Sequence, residues 1–92
     1  MKLSPKLGES FREEVARVGG VGIVKVVLEL AGGANAAKYL PHVEVIDDRN
    51  RDTPLSVHRL RGHQRFYTEA DAVIALEGLV HAQLNALHTS QR

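Results

Sequence analysis

Val21-Gly22-Ile23-Val24-Lys25-Val26-Val27-Leu28-Glu29-Leu30 decides the fold, because this stretch has two self-consistent readings. Its β-branched content favours a strand, with Val24, Val26, Leu28 and Leu30 alternating onto one face. A second pattern opposes the first. Gly22, Lys25, Glu29 and Gly32 recur at steps of three, four and three, the spacing of a polar stripe on a helix, and Lys25 and Glu29 stand one turn apart. Gly32-Gly33 then resembles a C-terminal stop. The polar stripe selects the helix for residues 21–30.

Upstream of this stretch, Ser4-Pro5 offers an N-cap with proline at the first helical position. Leu7, Phe11, Val15 and Val18 follow at helical spacing up to Gly19-Gly20, which predicts a helix over residues 5–18. Residues 34–40 predict a third short helix ended by Pro41. Beyond Pro41 the pattern changes to short apolar runs separated by turn formers. It predicts strands at about 42–47, 55–60 and 63–67 in an antiparallel meander, the last two forming a hairpin around Arg61-Gly62. Thr68 with Asp71 three residues on forms a helix-opening cap. Val73, Leu76, Val80, Leu84 and Leu87 then make an apolar stripe over a helix at 69–88, flanked by alanines. The expected fold is α+β: N-terminal helices, a small three-stranded antiparallel sheet and a long C-terminal helix. It forms one domain over residues 1–92.

Charge is unevenly placed. Arg49, Arg51, Arg59, Arg61 and Arg65 share residues 49–65 with a single acid, Asp52, a net +4 in a chain whose total is +1. Guanidinium groups grip phosphates or carboxylates with paired hydrogen bonds, so the strip is suited to an anionic partner. Asp47 and Asp48 border it, close enough to neutralise part of it or to mimic phosphate toward a basic groove. Glu44 and Asp52 are further acids within reach. Phe66 and Tyr67 follow at once, either as stacking platforms for unpaired bases or as core residues, the core being the better account of Phe66.

Residues 62–71, Gly-His-Gln-Arg-Phe-Tyr-Thr-Glu-Ala-Asp, resemble a piece of the MerR-type and excisionase-type winged-helix DNA-binding proteins. There a Gly-His-Arg-Arg-Tyr-like wing strand leads into a helix opened by Ser or Thr and an acid. Ala36-Ala37-Lys38-Tyr39-Leu40 is similar to the first helix of their helix-turn-helix. After Leu40 those families have Gly, a polar cap and a recognition helix, where this chain has Pro41-His42-Val43-Glu44-Val45-Ile46-Asp47-Asp48. The resemblance therefore bears on the hairpin and is not a family assignment.

Other chemistry finds little support. With no cysteine there is no disulfide, thiolate metal site or thiol nucleophile. The histidines lack the i, i+4 spacing of a helical chelate, so no metal or other cofactor is expected. The serines carry no nucleophile motif and the glycine pairs lack a phosphate-loop lysine, so no catalytic residue is assigned and the chain is expected not to be an enzyme. No signal-peptide pattern is evident, and Val21 to Ala34 is too short and too charged to span a bilayer. The expectation is a soluble, cytoplasmic, non-enzymatic binding protein of the regulator or inhibitor kind, as found among phage and mobile-element proteins including anti-CRISPR proteins. Its partner is expected to be a protein or ribonucleoprotein complex that handles nucleic acid, engaged through the charged hairpin. The alternative is direct DNA binding as a regulator or excisionase. The alanine flank of the final helix also suits a homodimer contact.

Overall fold

Gly19-Gly20 does not end a helix; it turns one strand back on the next. The structure is a computed structural model and describes residues 9–33 and 35–90. Strands β1 (Glu9–Val18), β2 (Val21–Glu29), β3 (Tyr39–Asp47) and β4 (Ser56–Arg59) form one antiparallel sheet in the order β1-β2-β3-β4. A 3-10 turn at Arg61–His63 follows, then helices α1 (Glu69–Ala75) and α2 (Glu77–Ser90), which meet at Leu76. The expected N-terminal helices are thus absent among the described residues, and the sheet has four strands rather than three. Residues 5–8 of the first expected helix lie outside the described residues.

Each correction has a local cause. Val18 pairs with Val21 across a two-residue turn whose first position, Gly19, has φ 60°, as a type II′ hairpin requires. In β1 the register slips between Glu14 and Ala16. Before the slip Phe11 faces Val27, and after it Ala16 and Val18 face Ile23 and Val21. The bulge at Val15 inverts which parity points inward, so the apolar residues lose their period of two and imitate helical spacing. In β2 every residue from Gly22 to Val27 is buried. A central strand covered on both sides reads as a continuous apolar run, and its alternation is erased. Residues 35–40 form no helix. Leu30 N–H bonds the Lys38 carbonyl at 2.8 Å across the β2–β3 connection, and β3 begins at Tyr39. Ala34 itself lies outside the described residues.

The expected strand at 63–67 is replaced by an excursion. Arg59 lies opposite His42, and the chain rejoins β3 only at Phe66, opposite Tyr39. Six residues, 60–65, thus span a gap that Leu40 and Pro41 cross on β3. Tyr39 exchanges both backbone hydrogen bonds with Phe66, so by alternation Pro41 also directs its nitrogen to this side. The missing N–H of Pro41 therefore faces the excursion, where there is no ladder bond to lose.

One face of the sheet carries the helix. Ile23 and Val43 meet Leu76 and Val80, with Ala16, Leu79, Leu84 and Leu87 packed around them. The helix has its expected opening: Thr68 Oγ1 accepts from Asp71 N–H at 3.1 Å. Leu76 is fully buried, a contribution of about 1.5–3 kcal/mol. Ala82 and Ala86 of the alanine flank lie exposed on the outer side of α2. On the sheet's other face Val24, Val26 and Ile46 form a second buried cluster, with Leu28 packed against it. Among the described residues, no helix is long and apolar enough to cross a membrane.

Candidate binding surface

The arginine strip divides into two halves with opposite fates. Arg49 and Arg51 lie in the connection from β3 to β4, with side chains 91% and 49% exposed, and each is paired with carboxylates of the same chain. Arg49 donates to both carboxylate oxygens of Asp47, and its backbone N–H bonds Asp47 Oδ1 at 2.9 Å. Arg51 bridges Asp48 at 2.7 Å and Glu14 at 3.0 Å. Arg17 bonds the same two acids, Glu14 Oε2 at 2.8 Å and Asp48 Oδ2 more tightly. Glu14, Arg17, Asp48 and Arg51 thus close a ring of alternating charge with no net charge, tying β1 to the β3–β4 connection.

Each carboxylate in these contacts is held below its ordinary pKa. Hydrogen bonds from Arg51 and then Arg17 lower Glu14, and the Arg17 bond leads at Asp48. The Arg49 side chain lowers Asp47. Asp47 is held in an ion pair by Arg49, and Asp48 by Arg17 and Arg51. Residues 31 to 37 positions apart make the long-range contacts of the ring, which is why Glu14 and Arg17 escape a reading along the sequence.

Arg59, Arg61 and Arg65 have a different setting. Arg59 ends β4, Arg61 opens the 3-10 turn and Arg65 precedes the Phe66 bridge. All three are exposed, as is His63 between them. Among the described residues no carboxylate lies within ion-pair distance of any of the three arginines. The turn is held out by left-handed backbone at two successive residues, Gly62 with φ 73° and His63 with φ 52°. Tyr67 is 68% exposed, while Phe66 is half-buried at the bridge.

Two polar groups are buried: Lys25, which the sequence pattern places on a helix's polar stripe, and His42, to which it assigns no role. His42 is 5% exposed; its Nε2 lies 3.1 Å from Glu44 Oε2, while its buried Nδ1 has no hydrogen-bond partner among the described residues. Burial pushes the Glu44 carboxyl up, but hydrogen bonds from Arg12 and His42 outweigh it and keep the carboxyl below its ordinary value. Lys25 is buried under the helix and donates to Glu77 Oε1 at 2.8 Å. These groups organise the sheet and the helix seat.

A depression of about 290 Å³ opens on the helix-free face, lined by Arg12, Glu13, Glu14, Val24, Ile46 and Arg51. Its rim charges include three members of internal ion pairs (Arg12, Glu14 and Arg51). Among the described residues, no group of three or more His, Asp or Glu side chains is placed to hold a metal ion. The helix-turn-helix implied by the winged-helix resemblance is not formed: Tyr39 and Leu40 begin β3, and residues 41–47 continue it. No protein-family model, curated protein or solved structure matches the chain.

Proposed function

We propose that this chain is a cytoplasmic, non-enzymatic binding protein, a regulator or inhibitor of the kind carried by phages and mobile elements, as anti-CRISPR proteins are. It engages a protein or ribonucleoprotein complex that handles nucleic acid. The observation that carries this reading is the exposed, carboxylate-free group Arg59, Arg61 and Arg65, set beside a strip otherwise neutralised from within. The small size, the charge polarity and the lack of cysteine suit the class of protein.

A protein surface is favoured over duplex DNA for two reasons. Three arginines neutralise few phosphates, so nucleic-acid affinity from them alone is weak at physiological salt. The cations also share their edge of the sheet with exposed Leu55 and Val57, and with Tyr67 just beyond the turn. Arginine and tyrosine beside aliphatic surface are the composition of a protein interface.

Capture from host lysate on the immobilised protein, with and without nuclease, tests the reading. A partner that survives nuclease and is lost with Arg59→Ser/Arg61→Ser/Arg65→Ser is the expected result. Partners that vanish on nuclease treatment indicate direct nucleic-acid binding. Capture that is indifferent to the three arginines overturns the assignment of this surface.

A further inference from the structure

We infer that the outer edge of β4 receives an extended acidic segment of the partner as a fifth strand. This inference rests on the binding surface proposed above and specifies how that surface is used.

The backbone supplies the first observation. Tyr39 and Phe66 exchange both N–H and C=O bonds, which sets the odd-numbered residues of β3 as those bonding outward. In the register Val43↔His58 and Val45↔Ser56, His58 and Ser56 therefore bond β3. Val57 and Arg59 direct their N–H and C=O groups to the opposite side. β4 is the last strand of the sheet, so among the described residues no strand meets those groups. An open edge of this kind templates another strand.

Side chains supply the second. Val57 lies opposite Glu44 and Arg59 opposite His42, on the face away from the helix. Leu55, just before β4, and Val57 within it are 60% and 43% exposed. A neighbouring strand would cover Val57 in a cross-strand pair, while Leu55 turns its N–H inward to the Val45 carbonyl at 2.7 Å.

The third observation is charge. The edge runs into Arg59, Arg61 and Arg65, with no carboxylate paired to any of them among the described residues, and the 60–65 excursion blocks further pairing beyond Arg59. A strand laid along Val57 and Arg59 ends against those guanidinium groups. Acidic side chains there satisfy them, whereas basic ones are repelled. The occupant is thus an extended, β-forming segment rich in Asp or Glu. The opposite edge, β1, is kinked by its bulge at Val15, a device that hinders strand addition.

The test uses the full chain and a ten-residue peptide alternating valine with aspartate or glutamate. Its lysine counterpart and a ten-nucleotide oligothymidylate serve as controls. Amide NMR titration and hydrogen exchange should show saturable perturbation and protection at Val57 and Arg59 with the acidic peptide alone. Arg59→Ser/Arg61→Ser/Arg65→Ser should weaken binding at least tenfold. Val57→Pro removes an N–H that β3 does not use, so the fold should persist, by circular dichroism, while peptide binding falls at least tenfold. If the peptide binds through the arginines but leaves both amides unprotected and tolerates Val57→Pro, strand addition is overturned and the cationic surface stands. If the oligonucleotide binds and the peptide does not, the inference and the preference for a protein partner both fail. Should neither ligand bind, the inference is overturned, while lysate capture judges the wider reading separately.

Discussion

The Glu14 carboxylate lies directly over Gly22: a Cβ built on Gly22 would fall 2.5 Å from Glu14 Oε1. Gly22 is thus the floor on which the charged ring of Glu14, Arg17, Asp48 and Arg51 is assembled. What resembles a polar position of a helix is a space left for a carboxylate on the neighbouring strand.

Gly22→Ala should therefore expel Glu14 from its place while sparing the sheet, since the atom it meets is the end of a flexible side chain. The expected outcome is a folded protein in which Arg17 and Arg51 lose Glu14, one of the two acids they share, and keep Asp48. Arginine side-chain NMR signals at both positions should sharpen toward those of exposed residues. Unchanged signals would show that the ring does not depend on Gly22.

Acid should loosen the molecule in a defined direction. Glu14, Glu44, Asp47, Asp48 and Glu77 all have pKa values lowered in the folded state, chiefly by hydrogen bonds from cations except at Glu44, where those bonds overcome a larger opposing effect of burial. Their stabilisation is present above the ordinary values, 4.5 for Glu and 3.8 for Asp, and is lost as pH falls through the lowered ones. Urea unfolding midpoints should be nearly flat in these groups' contribution above about pH 5 and decline below it. Glu14→Gln should flatten part of that decline; an identical profile would exclude Glu14 from it.

Lys25 and Glu77 form a lopsided pair, with the Lys25 side chain 9% exposed and that of Glu77 59% exposed. Removing the acid strands a buried ammonium, whereas removing the lysine leaves a carboxylate that water can solvate. Glu77→Ala should thus destabilise the protein more than Lys25→Met, by urea unfolding near pH 7. The reverse order would mean that the lysine stem, and not its charge, matters at this seat.

Leu76 is fully buried where α1 meets α2, against Ile23 and Val43. Leu76→Ala should cost about 2–5 kcal/mol of unfolding free energy, the range for deleting a well-packed leucine. A loss below about 1 kcal/mol would mean that the site collapses around the smaller side chain.

The C-terminal helix is legible from residues 68–88 alone because its signals are local: Thr68 caps Asp71, and the stripe from Val73 to Leu87 repeats within each turn. Strands near 42–47 and 55–60 are legible for the same reason, being short apolar runs between turn formers. β1 is not, since the bulge at Val15 breaks the alternation that would betray a strand. β2 is not either. Burial on both faces hides its period, and the stripe of Gly22, Lys25 and Glu29 arises from unrelated needs: room for Glu14, a bond to Glu77, and a pair with Lys38 at 3.2 Å.

By itself the sequence determined that five arginines crowd residues 49–65, that Asp47 and Asp48 stand beside them, and that a capped amphipathic helix closes the chain. It could not say which arginines are available. That depends on sheet register, which carries Glu14 and Arg17 across the molecule to Asp48 and Arg51, and on the excursion after β4, which keeps Arg59, Arg61 and Arg65 away from every described carboxylate. Charge pairing acts over a few ångströms of space, and only the tertiary structure sets which residues come that close.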